Sequence, residues 1–259
     1  MVPSDYQPTE RFSGLAGLYS QYRPAYPEAA LDFILSRCGL TDQSVLVDVG
    51  CGTGISSRLF ASKGVRVIGI EPNADMRHQA ETESVPALRL EPTYQSGRAE
   101  ATGLPEASAD AVLAAQAFHW FEAEATLQEF HRILKPNGWV ILLWNERDEA
   151  DPFTHAYGAS VRRLTDAEVF EPYHGKGDAL LESPLFTEGE RAFFPNEQVL
   201  DETSLMGRAF SASYAPREDA AVKCYLDELR EIFRRFQKDG QVTMRYETSI
   251  FLARRRATK

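Results

Sequence analysis

Apolar residues recur along this chain in two rhythms, and their alternation predicts the architecture. In "PEAALDFILSRCG", Leu31, Ile34, Leu35 and Cys38 fall at i, i+3, i+4 and i+7. Pro27 suits the first helical position and Gly39 a C-terminal cap, so a helix with one buried stripe is expected there. "SVLVDVG" (44 to 50) follows as a short valine-rich run, the pattern of a strand covered on both faces. Beyond it Ile55 and Leu59 mark a short helix that "SKG" (62 to 64) stops, and "VRVIGIEP" (65 to 72) reads as a second strand. Strand, tight turn, helix and strand make a βαβ unit.

The rhythm continues. "ADAVLAAQ" (109 to 116) is expected to be a strand and "EAEATLQEFHRIL" (122 to 134) a helix with Leu127, Phe130, Ile133 and Leu134 inward. "KPNG" (135 to 138) breaks that helix, and "WVILLWNE" (139 to 146) is another buried strand. Alternating strands and helices predict a doubly wound, mostly parallel α/β sheet. After Arg147 the order changes. Phe153, Tyr157, Val161 and Leu164 support a helix, and "EPYHGKGDALLESPLFTEGE" (171 to 190), rich in Gly, Pro and charge, reads as a covering loop. "RAFFPNEQVL" (191 to 200) is expected to be a strand. A long amphipathic helix over 218 to 237 turns Val222, Tyr225, Leu226, Leu229, Ile232, Phe233 and Phe236 to the core. In "QVTMRYETSIFLA", Val242, Met244, Tyr246, Ile250 and Leu252 share one face, which predicts a late antiparallel strand near the sheet edge.

Composition narrows the partners. The 259 residues are 43% hydrophobic and 11% aromatic, enough for a substantial core. A formal net charge of -10 argues against nucleic acid as the main ligand. Cys38, Cys51 and Cys224 are far apart and form no CxxC pair, which fits reduced thiols in a cytoplasm. The five histidines show no metal-ligand spacing with them, so no metal is expected. No signal-peptide segment opens the chain, and its longest apolar stretches are far too short for a bilayer. The expectation is therefore a soluble, cytoplasmic protein without a membrane partner.

The chemistry starts at "DVGCGTG" (48 to 54). In a doubly wound sheet the ligand lies beyond the strand C-termini where the winding reverses, and the loop after the first strand is at that point. Glycines there allow positive φ and let a ligand lie against bare backbone, while the next helix offers unpaired N–H groups. The spacing is GxGxG, since Ile55 stands where a GxGxxG dinucleotide fingerprint needs glycine. No Gly-Lys-Ser/Thr completes a P-loop. The plain alternative is a tight βα turn without a ligand. Glu71, ending the second strand, favours a nucleoside, because a carboxylate there can accept two ribose hydroxyls; its alternative is a solvated charge.

"DVGCGTG", "GIEPNADM", "GRAEATGLPEASADAV", "QAFHWF" and "RILKPNGWVILLWN" together resemble the class I S-adenosylmethionine-dependent methyltransferases, specifically the methyltransferase type 11 group, from about Val45 to Asn145. "FHWF" and "LYSQYRPAYP" are similar to the trans-aconitate methyltransferase-like branch. The resemblance implies a Rossmann-like seven-stranded sheet, mostly parallel with an antiparallel late strand and helices on both faces, and S-adenosyl-L-methionine as cofactor. It divides the single domain into an N-terminal lid arm (1 to 26), a cofactor-binding core (27 to 146), a substrate-covering insertion (147 to 190) and C-terminal strands and helix (191 to 259).

By the same resemblance, Gly50, Gly52 and Gly54 face the methionyl and ribose part, Asp48 lies near the amino group, and Glu71 with Pro72 holds the ribose. Met76 packs by the adenine and Gln116 faces the methionyl end. Arg98 stands where relatives carry the acid that bonds the adenine amino group, so Glu100 or the backbone near Ala99 has to serve. Tyr19, Tyr22 and Arg23 form a lid whose arginine meets the cofactor carboxylate, or else Arg23 is a surface residue of the arm.

Methyl transfer depends on holding a nucleophile in line in a dry site, and an ionised carboxylate needs no base. His119 is the candidate base, against a packed histidine satisfied by backbone. Phe118, Trp120, Asn145 and Arg147 are candidate pocket residues with His119, and Tyr173 and His174 are candidates from position. His131 reads as structural. Arg23, Arg147 and Arg208 can serve an acidic acceptor. The expected activity is methyl transfer to a small organic acceptor, with a carboxylate oxygen favoured by the branch resemblance. A nicotinamide-dependent oxidoreductase and a catalytically silent cofactor-binding protein are the alternatives.

Overall fold

The valine-rich strand Val45–Val49 lies at the centre of the parallel part of the sheet, paired on both edges. The computed structural model describes residues 16–83, 88, 90–164, 177–212 and 214–256. In chain order the helices are α1 (Ala16–Tyr22), α2 (Glu28–Cys38), α3 (Ile55–Ser62), α4 (Ala74–Thr82), α5 (Ala123–Ile133), α6 (Pro152–Leu164), α7 (Asp178–Glu182), α8 (Glu202–Phe210) and α9 (Asp219–Phe236). The strands are β1 (Val45–Val49), β2 (Arg66–Ile70), β3 (Thr93–Gln95), β4 (Ala109–Ala115), β5 (Leu134–Arg147), β6 (Phe186–Leu200) and β7 (Val242–Arg255). They form one sheet in the order β3-β2-β1-β4-β5-β7-β6. β1, β2, β3, β4 and β5 are mutually parallel, and β7 runs antiparallel to both β5 and β6. The seven-stranded, mostly parallel expectation is met.

After β3 the chain returns to place β4 on the other side of β1. The winding therefore reverses between β1 and β4, which leaves a crevice at the strand C-termini. Both faces of the sheet are covered. On one, Val112, Val140, Leu142 and Trp144 pack with Phe130 and Ile133 of α5. On the other, Leu46, Leu113, Ile141 and Leu143 pack with Ala30, Leu31 and Ile34 of α2 and Phe60 of α3. Alternate residues of β5 thus enter opposite layers, which is why its sequence is continuously apolar.

A third cluster lies beyond the end of β5. The last β5–β7 pair is Arg147 with Tyr246, but β7 continues back to Val242 and stays paired with β6 as far as Leu200. This two-stranded extension carries Met244 and Tyr246 against Tyr157 of α6, Leu205 of α8 and Leu229 of α9. It stands over the ligand end of the sheet.

Four expectations need correction. β7 shows one-sided alternation only in the extension; from Thr248 to Ala253 every residue is buried, because alternate residues there enter the two opposite layers, Phe251 and Ala253 one, Ile250 and Leu252 the other. β6 starts at Phe186, and α7 with it replaces the expected covering loop over 177–190; residues 171–176 lie outside the described residues. β5 begins at Leu134, pairing with Ala109 before a register shift, so "KPNG" ends the helix inside a strand. Helix α8 was not expected. Its capping box, Asp201 with Ser204, is legible, but Arg208 shares the buried face with Leu205 and Ala209 and spoils the apolar period.

Leu229 is fully buried in the third cluster. Leu229→Ala is expected to lower the free energy of unfolding by about 2–5 kcal/mol. Urea titration checks this, and an unchanged midpoint and slope would show that the extension does not fold with the sheet.

Candidate functional site

Backbone geometry brings the turn after β1 together. Gly50, Gly52 and Gly54 have φ of 69°, 56° and 80°, the left-handed region that L side chains resist. Gly50 and Cys51 both donate to the Ile70 carbonyl, at 2.8 and 3.2 Å, which fastens the turn to the end of β2. A Cβ at Gly50 would lie 2.8 Å from both Ala117 Cβ and Phe121 Cζ, and one at Gly54 would strike the Tyr94 hydroxyl. The protein's own side chains therefore need bare backbone here, whatever else passes over the turn.

Two buried acids flank it. Asp48 Oδ2 accepts from the Ser56 and Ser57 hydroxyls, each at 2.6 Å, while Oδ1 has no hydrogen-bond partner. Burial pushes the Asp48 carboxyl up to about 6, with the two serines holding it back. Glu71 Oε2 accepts from Gly52 N at 2.9 Å and Oε1 from Asn73 N at 2.8 Å. Burial raises its pKa, and those two N–H groups oppose the rise. Asn73 in turn caps α4 through Met76 N at 3.0 Å, and Arg77 donates to the Glu71 carbonyl at 2.8 Å. Glu71 is thus no solvated strand-end charge; it clasps the first two βα loops. Each of its oxygens retains acceptor capacity for a ligand hydroxyl.

Met76 is buried, its Cε 3.4 Å from where a Gly52 Cβ would be, and Pro72 is half-buried beside it in sequence. Ala99 is buried in the core cluster. Glu100 accepts from Glu122 N at 3.2 Å and pairs with the exposed Arg98 at 3.5 Å, so its carboxylate already serves the start of α5.

At the end of β4, Gln116 adopts φ of 54°. Its N donates to Leu143 O at 2.8 Å and its Nε2 to Asn145 O at 3.0 Å. A non-glycine residue in that region is strained and is held by these bonds. The next residues form a single 3₁₀ turn, Phe118–Trp120, with Ala117 and Phe121 packed over Gly50. Phe118 is buried in the core, edge-on to Phe121 with centroids 6.1 Å apart, so it packs and does not line an open pocket.

His119 is redirected too. Trp144 Nε1 donates to its Nδ1 at 3.3 Å, and its ring lies 4.7 Å from that of Trp120. With Nδ1 accepting, the neutral ring carries its proton on Nε2 and presents a donor, which corrects the general-base expectation. Asn145 is also corrected. Its Nδ2 donates to Ala25 O at 3.1 Å, and its Oδ1 accepts from Asn196 at 3.0 Å and Thr248 at 2.5 Å. It cross-links the arm, β6 and β7, with little left for an acceptor. His131 lies against Phe186 and Arg256 O, consistent with a structural role.

The N-terminal arm closes this end. Tyr22 O accepts from Gln198 at 2.9 Å, and Ala25 O accepts from Asn196 at 2.8 Å as well as from Asn145. Arg23 stacks 4.7 Å over Tyr19 and donates to Ser211 O at 3.4 Å; it is half-buried. Arg147 lies 5.6 Å over the Tyr157 ring, and Arg208 is buried nearby. Arg58, unpredicted and buried, donates to Thr53 O at 2.7 Å and pairs with Glu83 at 3.2 Å, which also receives the Ser20 hydroxyl of α1. Ser56, Ser57 and Arg58 put polar groups on a buried helix face, and that anomaly in "ISSR" was the available signal. Tyr173 and His174 lie outside the described residues. No group of metal-binding side chains occurs among the described residues, and none of the described helices is long and apolar enough to cross a membrane.

Comparison with known proteins agrees with this geometry. Residues 47–142 match the family model described as Methyltransferase domain. An uncharacterized methyltransferase-like protein of Schizosaccharomyces pombe is 29% identical over 93% of this chain and 94% of its own. A Saccharomyces cerevisiae protein, a probable S-adenosylmethionine-dependent methyltransferase by its description, is 35% identical over 46% of this chain and 42% of its own. A solved structure assigned as a type II methyltransferase, from Anaeromyxobacter dehalogenans, superposes with a TM-score of 0.67 at 25% identity, covering 91% of this chain and 98% of that one. These likenesses show the Rossmann-like fold of the methyltransferases, and methyltransferase is the description that the relatives share.

The buried acid makes a pH prediction. The folded state holds a proton on Asp48 up to about pH 6, against 3.8 for an ordinary aspartate. Between those values the folded state binds more protons than the unfolded one, so this group's contribution to stability falls as pH rises from about 4 to about 6. The expected loss is on the order of 3 kcal/mol, and Asp48→Asn should remove it. Urea titrations of both proteins at pH 4.5 and pH 7 check the difference; the same slope in the variant would refute the assignment.

Proposed function

We propose that this protein transfers a methyl group from S-adenosyl-L-methionine to a small organic acid, at a carboxylate oxygen. The single observation that carries the reading is the pair of buried acceptors around the glycine turn: Asp48 Oδ1, which lacks a donor, and the Glu71 carboxylate beside Gly52. They fit a ligand that brings an ammonium group and a pair of ribose hydroxyls to one crevice. When bound, that cofactor supplies a methyl group activated on a sulfonium sulfur.

The residues of the chain then have separate tasks. Glu71 would hold the ribose, with Pro72 and Met76 bounding the turn, and Asp48 would meet the amino group. Ala99 and Glu100 border the place expected for the adenine, and Gln116, held at positive φ, borders the methionyl end. Tyr19 and Arg23 cover the crevice from the arm. The carboxylate preference rests on His119, whose Nδ1 is occupied by Trp144 and whose Nε2 proton suits an acceptor that is already ionised. Trp120 lies tilted against that ring, and Arg147, paired at 3.9 Å with Glu149, is a cation at the end of β5. The likeness of "FHWF" and "LYSQYRPAYP" to the trans-aconitate methyltransferase-like branch supports the same acceptor. Net charge of -10 favours a small-molecule partner over nucleic acid, and free thiols at Cys38, Cys51 and Cys224 favour the cytoplasm.

Calorimetry with S-adenosylmethionine and with NAD tests the cofactor; tighter binding of NAD would overturn the reading. Methyl label should pass from the cofactor into organic acids as base-labile esters. Label in amines alone would refute the carboxylate, and silence across broad metabolite pools would favour a binding protein. Glu71→Ala is expected to weaken S-adenosylhomocysteine about tenfold or more, since charge-assisted hydrogen bonds in a buried site are lost together.

A further inference from the structure

Arg208 lies on the buried face of α8, only 4% exposed. Its Nε and Nη1 have no hydrogen-bond acceptor, and it has no carboxylate partner among the described residues. The buried acids of the described chain are Asp48, Glu71 and Glu129, and each is engaged elsewhere, by Ser56 and Ser57, by Gly52 and Asn73, and by Thr102 and Arg132. What faces Arg208 is a set of phenols, from Tyr157, Tyr214 and Tyr246, with a second guanidinium from Arg147, whose Nε also lies 3.9 Å from Glu149. Tyr157 is fully buried, and its hydroxyl meets no partner in hydrogen-bonding geometry, with the phenol of Tyr225 as its near neighbour.

A buried guanidinium left without an anion is costly, by several kcal/mol. Tyrosine dipoles and ring faces offset part of that, but they cannot supply the two in-plane acceptors that the planar fork is shaped for. We infer that Arg208, Arg147 and the Tyr157 hydroxyl form a subsite for an oxyanion of the methyl acceptor, and that this anion is not the group methylated. The inference rests on the methyltransferase reading for the word acceptor, but the anion site itself stands on the arginine.

Place and chemistry both separate the anchored group from the reacting one. Arg147 ends β5 two residues beyond Asn145, and Tyr246 faces it across the ladder, so the subsite sits under the β6–β7 extension. The glycine turn and its covering residues, Ala117 and Phe121, lie at the β1–β4 crossover. An oxyanion whose lone pairs accept several guanidinium and phenol hydrogens is also a poor nucleophile. The acceptor therefore carries at least one oxyanion besides the atom that receives the methyl group. The phenol of Tyr214 fits this field: burial alone would raise its pKa, but Arg147, Arg208 and Arg23 outweigh burial and hold it below the ordinary value.

The test uses the full chain saturated with S-adenosylhomocysteine and titrated with glutarate, inorganic phosphate and sulfate. At least one of these is expected to bind saturably, and the one that does identifies the class of oxyanion. Arg208→Met should weaken that binding about tenfold or more, with S-adenosylhomocysteine affinity within about twofold of wild type and a melting temperature without anion that is unchanged or higher. Tyr157→Phe, which removes only a hydroxyl, should weaken anion binding severalfold and covers the case in which the arginine variant does not fold. No saturable binding by any of the three, or equal binding by the variants, overturns the subsite. Anion binding by a chain with no affinity for S-adenosylhomocysteine would instead sink the methyltransferase reading and leave the anion site standing.

Discussion

The ligand end of this protein depends on one carboxylate. Glu71 receives the N–H of Gly52 with one oxygen and that of Asn73 with the other, and so ties the turn after β1 to the start of α4. Without it two buried donors would be orphaned, and each costs roughly 1–3 kcal/mol when unmet. The same clasp fixes where the three glycines place their bare backbone. A group that would otherwise serve only a ligand is therefore also part of the scaffold, which is how a loop site can be rigid.

Charge is sorted across the crevice. The glycine turn holds two buried acids with raised proton affinity, whereas the far end, under the β6–β7 extension, holds Arg147 and Arg208 with no buried acid among the described residues. Burial makes such a separation expensive above all at Arg208, which has no carboxylate partner among the described residues, whereas Arg147 lies 3.9 Å from Glu149. It becomes favourable when a cationic amino group meets one end and an anion the other. Trp144 donates to Nδ1 of His119, which sets the tautomer of the neutral ring with its proton on Nε2.

The N-terminal arm belongs to the same construction. Its carbonyls at Tyr22 and Ala25 are taken by Gln198, Asn196 and Asn145, and Arg58 joins the glycine turn to Glu83, which holds Ser20 of α1. Arg58 bonds Thr53 in the turn and Glu83 at the end of α4, and Glu83 is the group that meets the arm, through Ser20. Residues far apart in sequence therefore meet around one end of the sheet.

The linear chain determined the parallel sheet, because valine-rich runs buried on both faces and helices with one apolar stripe leave few other ways to be packed. It also determined the glycine turn and Glu71, since backbone conformation and a strand-end acid are local properties. It did not determine α8, where Arg208 breaks the apolar period, nor the two-sided burial of the second half of β7, which follows from the layers packed on both faces of the sheet there. The role of Asn145 was illegible for the same reason: its partners, Ala25, Asn196 and Thr248, come from three distant segments. His119 could be named from "FHWF", but the proton it presents is set by an indole contributed by another strand. Periodicity and turn chemistry report on neighbours along the chain, whereas hydrogen-bond partners and buried charge are set by which segments the fold brings together.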